Sequence, residues 1–130
     1  MKQNDKKQYA GVWLDNHKAI IISSSSTENG DYKILDKVKA NEGHSGGSEH
    51  SINNAKQSDL LKYFKSISSR LINYDEILIF GPGKSQEQFQ NHLLEDAQFK
   101  SKQISIDSAE QLTDPQIIAK VRAFFKSRQS

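Results

Sequence analysis

Three stretches of the chain bring together residue types capable of chemistry. Gly81-Pro82-Gly83-Lys84-Ser85 follows the Gly-Lys-Ser pattern with which phosphate-binding loops end. A full loop needs another Gly five positions before Gly83, and Leu78 stands there. The stretch is therefore too short to wrap a triphosphate. What it can still offer is a single-phosphate site, with free amides at a helix start and the Lys84 ammonium beside them. Gly81, Gly83, Lys84 and Ser85 would then touch RNA; the plainer account is a tight strand-to-helix turn. The second stretch holds His44, Gly46, Gly47, Ser48, Glu49 and His50. Imidazole and carboxylate suit zinc, but no further ligand is evident and a Gly-rich segment does not fix their geometry. The expectation is a functional loop around His44, Gly46, Gly47, Ser48 and His50, with no metal and no cofactor. The third is basic. Lys100, Lys102, Lys120, Arg122, Lys126 and Arg128 outnumber Asp107, Glu110 and Asp114 near the C-terminus. That suits RNA phosphate through Lys120, Arg122 and Lys126, and it equally suits a solvated helix face.

Composition narrows the classes. The 130 residues are one domain's worth, and the formal net charge is +2. Neither a histone-like basic binder nor an acidic tail protein has that balance. Cysteine is absent, which excludes disulfide scaffolds, thiolate metal sites and a Cys nucleophile. No apolar run approaches the ~20 residues of a membrane span, so no membrane partner is expected. Met1 to Lys7 has no apolar stretch behind it like a signal peptide, and the expected compartment is the cytoplasm.

These residues must be positioned by regular elements. Residues 1–8 are polar and read as a disordered tail, leaving 9–127 as a single domain. Tyr9 to Leu14 and Ala19 to Ser26 read as strands joined by the turn candidate Asp15-Asn16-His17-Lys18. Asn29-Gly30 is a hairpin signal, because both residues tolerate positive φ. Tyr32 to Ala40 completes a three-stranded meander. Tyr9 and Trp13 could stack a base, although an aromatic on an inner strand is core. Residues 41–57 contain only Ile52 and Ala55 as apolar residues and read as a long Gly-rich loop. From Ser58 the period becomes helical, with Leu60, Leu61, Phe64, Ile67, Leu71 and Ile72 on one face. Ile77-Leu78-Ile79-Phe80 is a strand covered on both sides. Ser85 and Gln88 form a capping-box pair, with Phe89, Leu93 and Leu94 inside the helix that follows. Lys102 to Asp107 alternates as a strand. Asp114-Pro115 opens the last helix, whose inner face is Ile117, Ile118, Val121, Phe124 and Phe125.

The order β-β-β-α-β-α-β-α predicts an α/β fold: a mixed five-stranded sheet with helices packed on it. It is the order of ribonuclease H-like folds. A two-metal nuclease needs carboxylates converging on ions ~4 Å apart. Asp15 lies at the end of its strand, the first helix offers only Asp59 at its entry, and the fourth strand ends in Phe80-Gly81. A metal-dependent nuclease is not expected, and Asp15 reads as a turn residue. His17 reads as a turn residue too, and His92 as a helix-surface residue.

The element order, the Gly46-Gly47 loop before the first helix, and Ile77-Leu78-Ile79-Phe80-Gly81-Pro82-Gly83-Lys84 before a Phe89-containing helix resemble the middle domain of eukaryotic and archaeal peptide-chain release factors and of Pelota. Small stand-alone bacterial relatives that open with a Trp-x-Asp strand, like Trp13-Leu14-Asp15, are similar. In the release factors the resemblance implies a Gly-Gly-Gln loop whose Gln helps position the water that cleaves peptidyl-tRNA. Here Gly46-Gly47-Ser48 has Ser where that Gln belongs. Glu42 and Glu49 also outnumber Lys56 in a loop that is cationic in those relatives. The resemblance therefore implies a non-catalytic, translation-associated domain whose partner is the ribosome or tRNA. A protein-interaction or homodimeric module is the alternative. Hydrolysis of peptidyl-tRNA or RNA through the His44–His50 loop is the third.

Overall fold

The structure is a computed structural model that describes residues 8–24, 32–40 and 49–129, with side chains given in the last stretch from Asp59 to Ser127. Its elements are β1 (Tyr9–Leu14), β2 (Lys18–Ser24), β3 (Tyr32–Lys39), α1 (Glu49–Ser69), β4 (Glu76–Gly81), α2 (Ser85–Leu94), β5 (Gln103–Ser108) and α3 (Asp114–Gln129). The sheet order is β3-β2-β1-β4-β5. The first three strands pair antiparallel, whereas β1, β4 and β5 run parallel. The expected mixed five-stranded α/β sheet is present.

Two apolar layers hold it. On one face Val12, Leu14, Ile21, Ile77 and Ile79 meet Tyr63, Phe64, Ile67 and Leu71 of α1 and Phe89 and Leu93 of α2. On the other, Trp13, Ile20, Ile22, Leu78 and Phe80 meet Ile117, Val121 and Phe125 of α3. Alternate residues of β4 feed opposite layers, as the pleat requires. That explains its unbroken apolar run: both faces of β4 are covered.

Four local readings change. The loop expected over 41–57 ends earlier, because α1 begins at Glu49. Neither Gly nor Pro occurs between Ser48 and Ser69. Glu, Ala, Lys and Gln in that stretch favour a helix even where no apolar stripe marks one. The inner face of α1 is also rotated. Tyr63 is buried, while Leu60 and Leu61 are turned outward, at 37% and 53% exposure. Leu94 is likewise exposed at the end of α2. Gln8, expected in the frayed tail, is pinned: its N–H donates to Asp75 Oδ2 at 2.8 Å and its carbonyl accepts from Asp75 N at 2.7 Å. Residues 1–7 and Asn29-Gly30 lie outside the described residues.

Both expected helix caps are displaced by one residue. At α3 the capping box belongs to Thr113 and Gln116. Gln116 N donates to Thr113 Oγ1 at 3.3 Å, and Thr113 N donates to Gln116 Oε1 at 2.8 Å. Asp114 is thereby released to pair with Lys37 at 2.8 Å. At α2 the capping position is Lys84, without a side-chain cap, and Ser85 is the first helical residue. The Ser85–Gln88 box does not form, because the Ser85 hydroxyl is committed elsewhere.

Candidate functional site

The carboxyl ends of β1, β4 and β5 lie side by side, the position where open parallel sheets place ligands. After β1 the chain turns on Asp15. Its Oδ1 accepts from the N–H groups of His17 and Lys18 at 2.8 and 2.9 Å. Its Oδ2 accepts from Gln111 Nε2 at 3.3 Å. Partial burial raises the Asp15 carboxyl, but these donated hydrogen bonds outweigh it and leave the group below its ordinary value. The Tyr63 hydroxyl donates to the Asp15 carbonyl at 3.0 Å. Burial first, and then the Asp15 charge, raise that phenol well above its usual range, so it is a neutral donor. Asp15 is thus the turn residue expected, its carboxylate spent on its own backbone.

After β4 the chain passes through Gly81, Pro82 and Gly83. A Cβ at Gly81 would overlap the Leu14 carbonyl oxygen, so only Gly lets β4 leave beside β1. Gly83 has φ +69 with open space around it, which calls for Gly by conformation alone. Ser85 is buried, and its hydroxyl donates to Asn16 Oδ1 at 2.6 Å. This bond ties the turn after β1 to the start of α2.

A cleft of about 970 Å³ opens beside this junction, toward α3. Gly81, Pro82 and Gly83 line one wall, and Ser108, Glu110, Leu112, Gln116 and Lys120 line the other. The Lys120 ammonium sits 3.1 Å from Asp107 Oδ2 and 5.8 Å from the centre of the Phe80 ring. That ion pair, with the Ser108 N–H, holds the Asp107 carboxyl below its ordinary value. A smaller polar cleft of about 490 Å³ lies between α2 and β5, lined by Gln86, Glu87, Gln90, Asn91, Asp107 and Ser108. The buried Gln86 Oε1 has no hydrogen-bond partner there.

The sequence-derived nucleic-acid residues are thus divided. Gly81, Gly83 and Lys120 share the larger cleft, whereas Lys84 and Ser85 are not among its lining residues. Arg122 and Lys126 belong to the opposite flank of α3, where Arg122 is close enough to Tyr32 on β3 to affect its phenol. His44, Gly46, Gly47 and Ser48 lie outside the described residues, and of Glu49 and His50 only the backbone is described. Among the described residues no group of three His, Asp or Glu could hold a metal ion, and no helix is long and apolar enough to cross a membrane. Trp13 is 1% exposed and donates to the Glu110 carbonyl at 3.3 Å, while Tyr9 packs on Phe125 at 4.8 Å. Both serve the core rather than a base. His92 is half-buried beside Phe64 and Phe89, deeper than a helix-surface residue, and that burial lowers its pKa.

No protein-family model and no curated sequence matches the chain. Solved structures do. Pelota of Thermoplasma acidophilum is 22% identical, with a TM-score of 0.58 over 92% of this chain and 33% of its own length. An archaeal translation termination factor superposes at 0.51 with 12% identity, over 96% of this chain and 41% of its own. A model of ribosome-bound archaeal Pelota gives 0.55 at 17% identity, covering 95% and 35% respectively. The chain spans about a third of these larger proteins, and it shares the fold of a domain of Pelota and of an archaeal termination factor.

Proposed function

We propose that this chain is a translation-associated module that contacts the ribosome, rRNA or tRNA in the cytoplasm without catalysing peptide release. The observation that supports this reading is the fold likeness along more than nine-tenths of the chain to Pelota, one structure of which is a ribosome-bound form. The residues support a non-catalytic role. Gly46-Gly47-Ser48 carries Ser in place of the Gln that the resembled loop uses. At the carboxyl end of the sheet, Asp15, Ser85 and Lys120 are each engaged in structural bonds. Ribosome co-sedimentation at low and moderate salt tests it. The chain is expected in the ribosomal fractions at low salt and partly released at moderate salt; confinement to the light fractions at both ends the reading.

A second reading, a protein-interaction or homodimeric module, draws on Leu60 and Leu61, which α1 turns to solvent. Light scattering on the purified chain separates the two: a monomeric mass removes the dimer.

A further inference from the structure

We infer that the flank where α3 lies over β3 is a binding surface for the phosphate backbone of helical RNA, which rests on the translation-associated reading for its choice of partner. Lys18 and Lys39 are register partners across β2 and β3. The adjoining pair, His17 and Ala40, is joined by the Ala40 N–H donating to the His17 carbonyl at 2.8 Å. Pair types alternate along an antiparallel ladder, so Lys18 and Lys39 form a non-hydrogen-bonded pair, the kind with side chains closest together. Like charges directly opposite in that arrangement repel and cost stability. Both lysines are exposed, and among the described residues no carboxylate pairs with either. Lys18 lies 5.9 Å from the centre of the Trp13 ring, which places it on the α3 face of the sheet.

The row continues. Lys37, two residues before Lys39, shares its face and pairs with Asp114 at the start of α3. From Asp114 the four-residue steps of α3 lead to Ile118, Arg122 and Lys126. Ile118 is packed against the α3-side core, which keeps this row against the sheet. Tyr32, at the far end of β3, stacks on Phe125 of α3 with ring centres 6.3 Å apart, and Arg122, three residues before Phe125, acts on the same phenol. Lys126 follows one turn on and is exposed. Helix and strand therefore run antiparallel, and among the described residues five cations and one carboxylate, Asp114, lie along their seam.

From Asp114 to Lys126 the helix rises ~18 Å, long enough to run beside several successive phosphates of one duplex strand. The rings beneath the seam, Trp13 and Tyr32, are at most 9% exposed and offer no face for an unstacked base. Spaced cations without a stacking platform fit the phosphates of a helix, read by shape, better than a single strand.

Fluorescence anisotropy with a labelled short RNA duplex of arbitrary sequence, over a salt series, tests this. The K18E/K39E double variant should weaken binding at least ~10-fold and lower the salt slope by nearly 2, the share of two phosphate contacts. Lys39→Gln, which keeps the fold's packing and removes one charge, should give about half that slope change. K84A and K120A should bind within twofold of the parent. The surface is overturned if K18E/K39E binds as the parent does while its thermal melt is unchanged. It is also overturned if a single strand, polyglutamate or an anionic phospholipid vesicle binds more tightly than the duplex. Loss of binding in K84A or K120A alone would overturn it and leave the ribosomal role standing. Flank-dependent duplex binding without ribosome co-sedimentation would support the surface and overturn that role.

Discussion

The carboxyl end of the parallel strands and the β3–α3 flank both carry basic and polar residues, but they use them differently. At the strand ends three groups capable of chemistry are consumed internally, although Lys84 at the head of α2 is exposed. Ser85 holds Asn16, Asp15 holds its own turn and Gln111, and Lys120 holds Asp107. On the flank, Lys18 and Lys39 are set side by side against their mutual repulsion, and among the described residues it is Lys37 that has an anion, Asp114. A motif that looks reactive in sequence can thus be a joint, while a site for a partner shows itself by charge left unspent. The joint should respond to mutation through stability, and the flank through binding.

The largest effect is expected within the joint. Gly81→Ala drives a methyl into the Leu14 carbonyl, where backbone must yield, and should cost roughly 3–5 kcal/mol or prevent folding. Gly83→Ala meets open space and pays only for its left-handed backbone, about 1 kcal/mol. Denaturant melts of the two variants measure the difference; equal losses would mean that both glycines serve only a turn. Ser85→Ala, which leaves Asn16 Oδ1 without its donor, should cost about 1 kcal/mol in the same melts.

Acid should also act at the joint. The native pKa values of Asp15 and Asp107 are lowered, so their stabilisation is complete above the ordinary carboxylate value. It is lost as pH falls through the native values. Asp107→Asn should flatten that acid limb in a series of melts against pH. The smallest effect belongs to the flank. Lys39→Glu replaces repulsion toward Lys18 with attraction and should raise stability by about 0.5 kcal/mol, while RNA affinity falls. A variant that loses both would show that Lys39 supports the fold instead.

The architecture was legible because hydrophobic periodicity changes cleanly: a β-branched meander, then helical spacing from Ser58, then the doubly covered run Ile77 to Phe80. What periodicity could not register was a helix start built from polar residues. The first turns of α1 carry no stripe, so periodicity alone extends the Gly-rich loop to Gln57. The sequence places the starts of α2 and α3 one residue late, because several side chains there are competent to cap. Only tertiary partners, Asn16 for Ser85 and Lys37 for Asp114, decide which ones do. Of the site, the Gly81–Ser85 junction was visible in sequence, but its saturation by Asn16 was not, since 69 positions separate Asn16 from Ser85. The pairing of Lys18 with Lys39 depends on strand register, which the meander left open to within a residue.

Co-sedimentation of parent, K84A and K18E/K39E chains with ribosomes at low salt bears most directly on the division between joint and flank. The parent and K84A should travel with the ribosomes while K18E/K39E stays in the light fractions. Retention of K18E/K39E alongside release of K84A would contradict it.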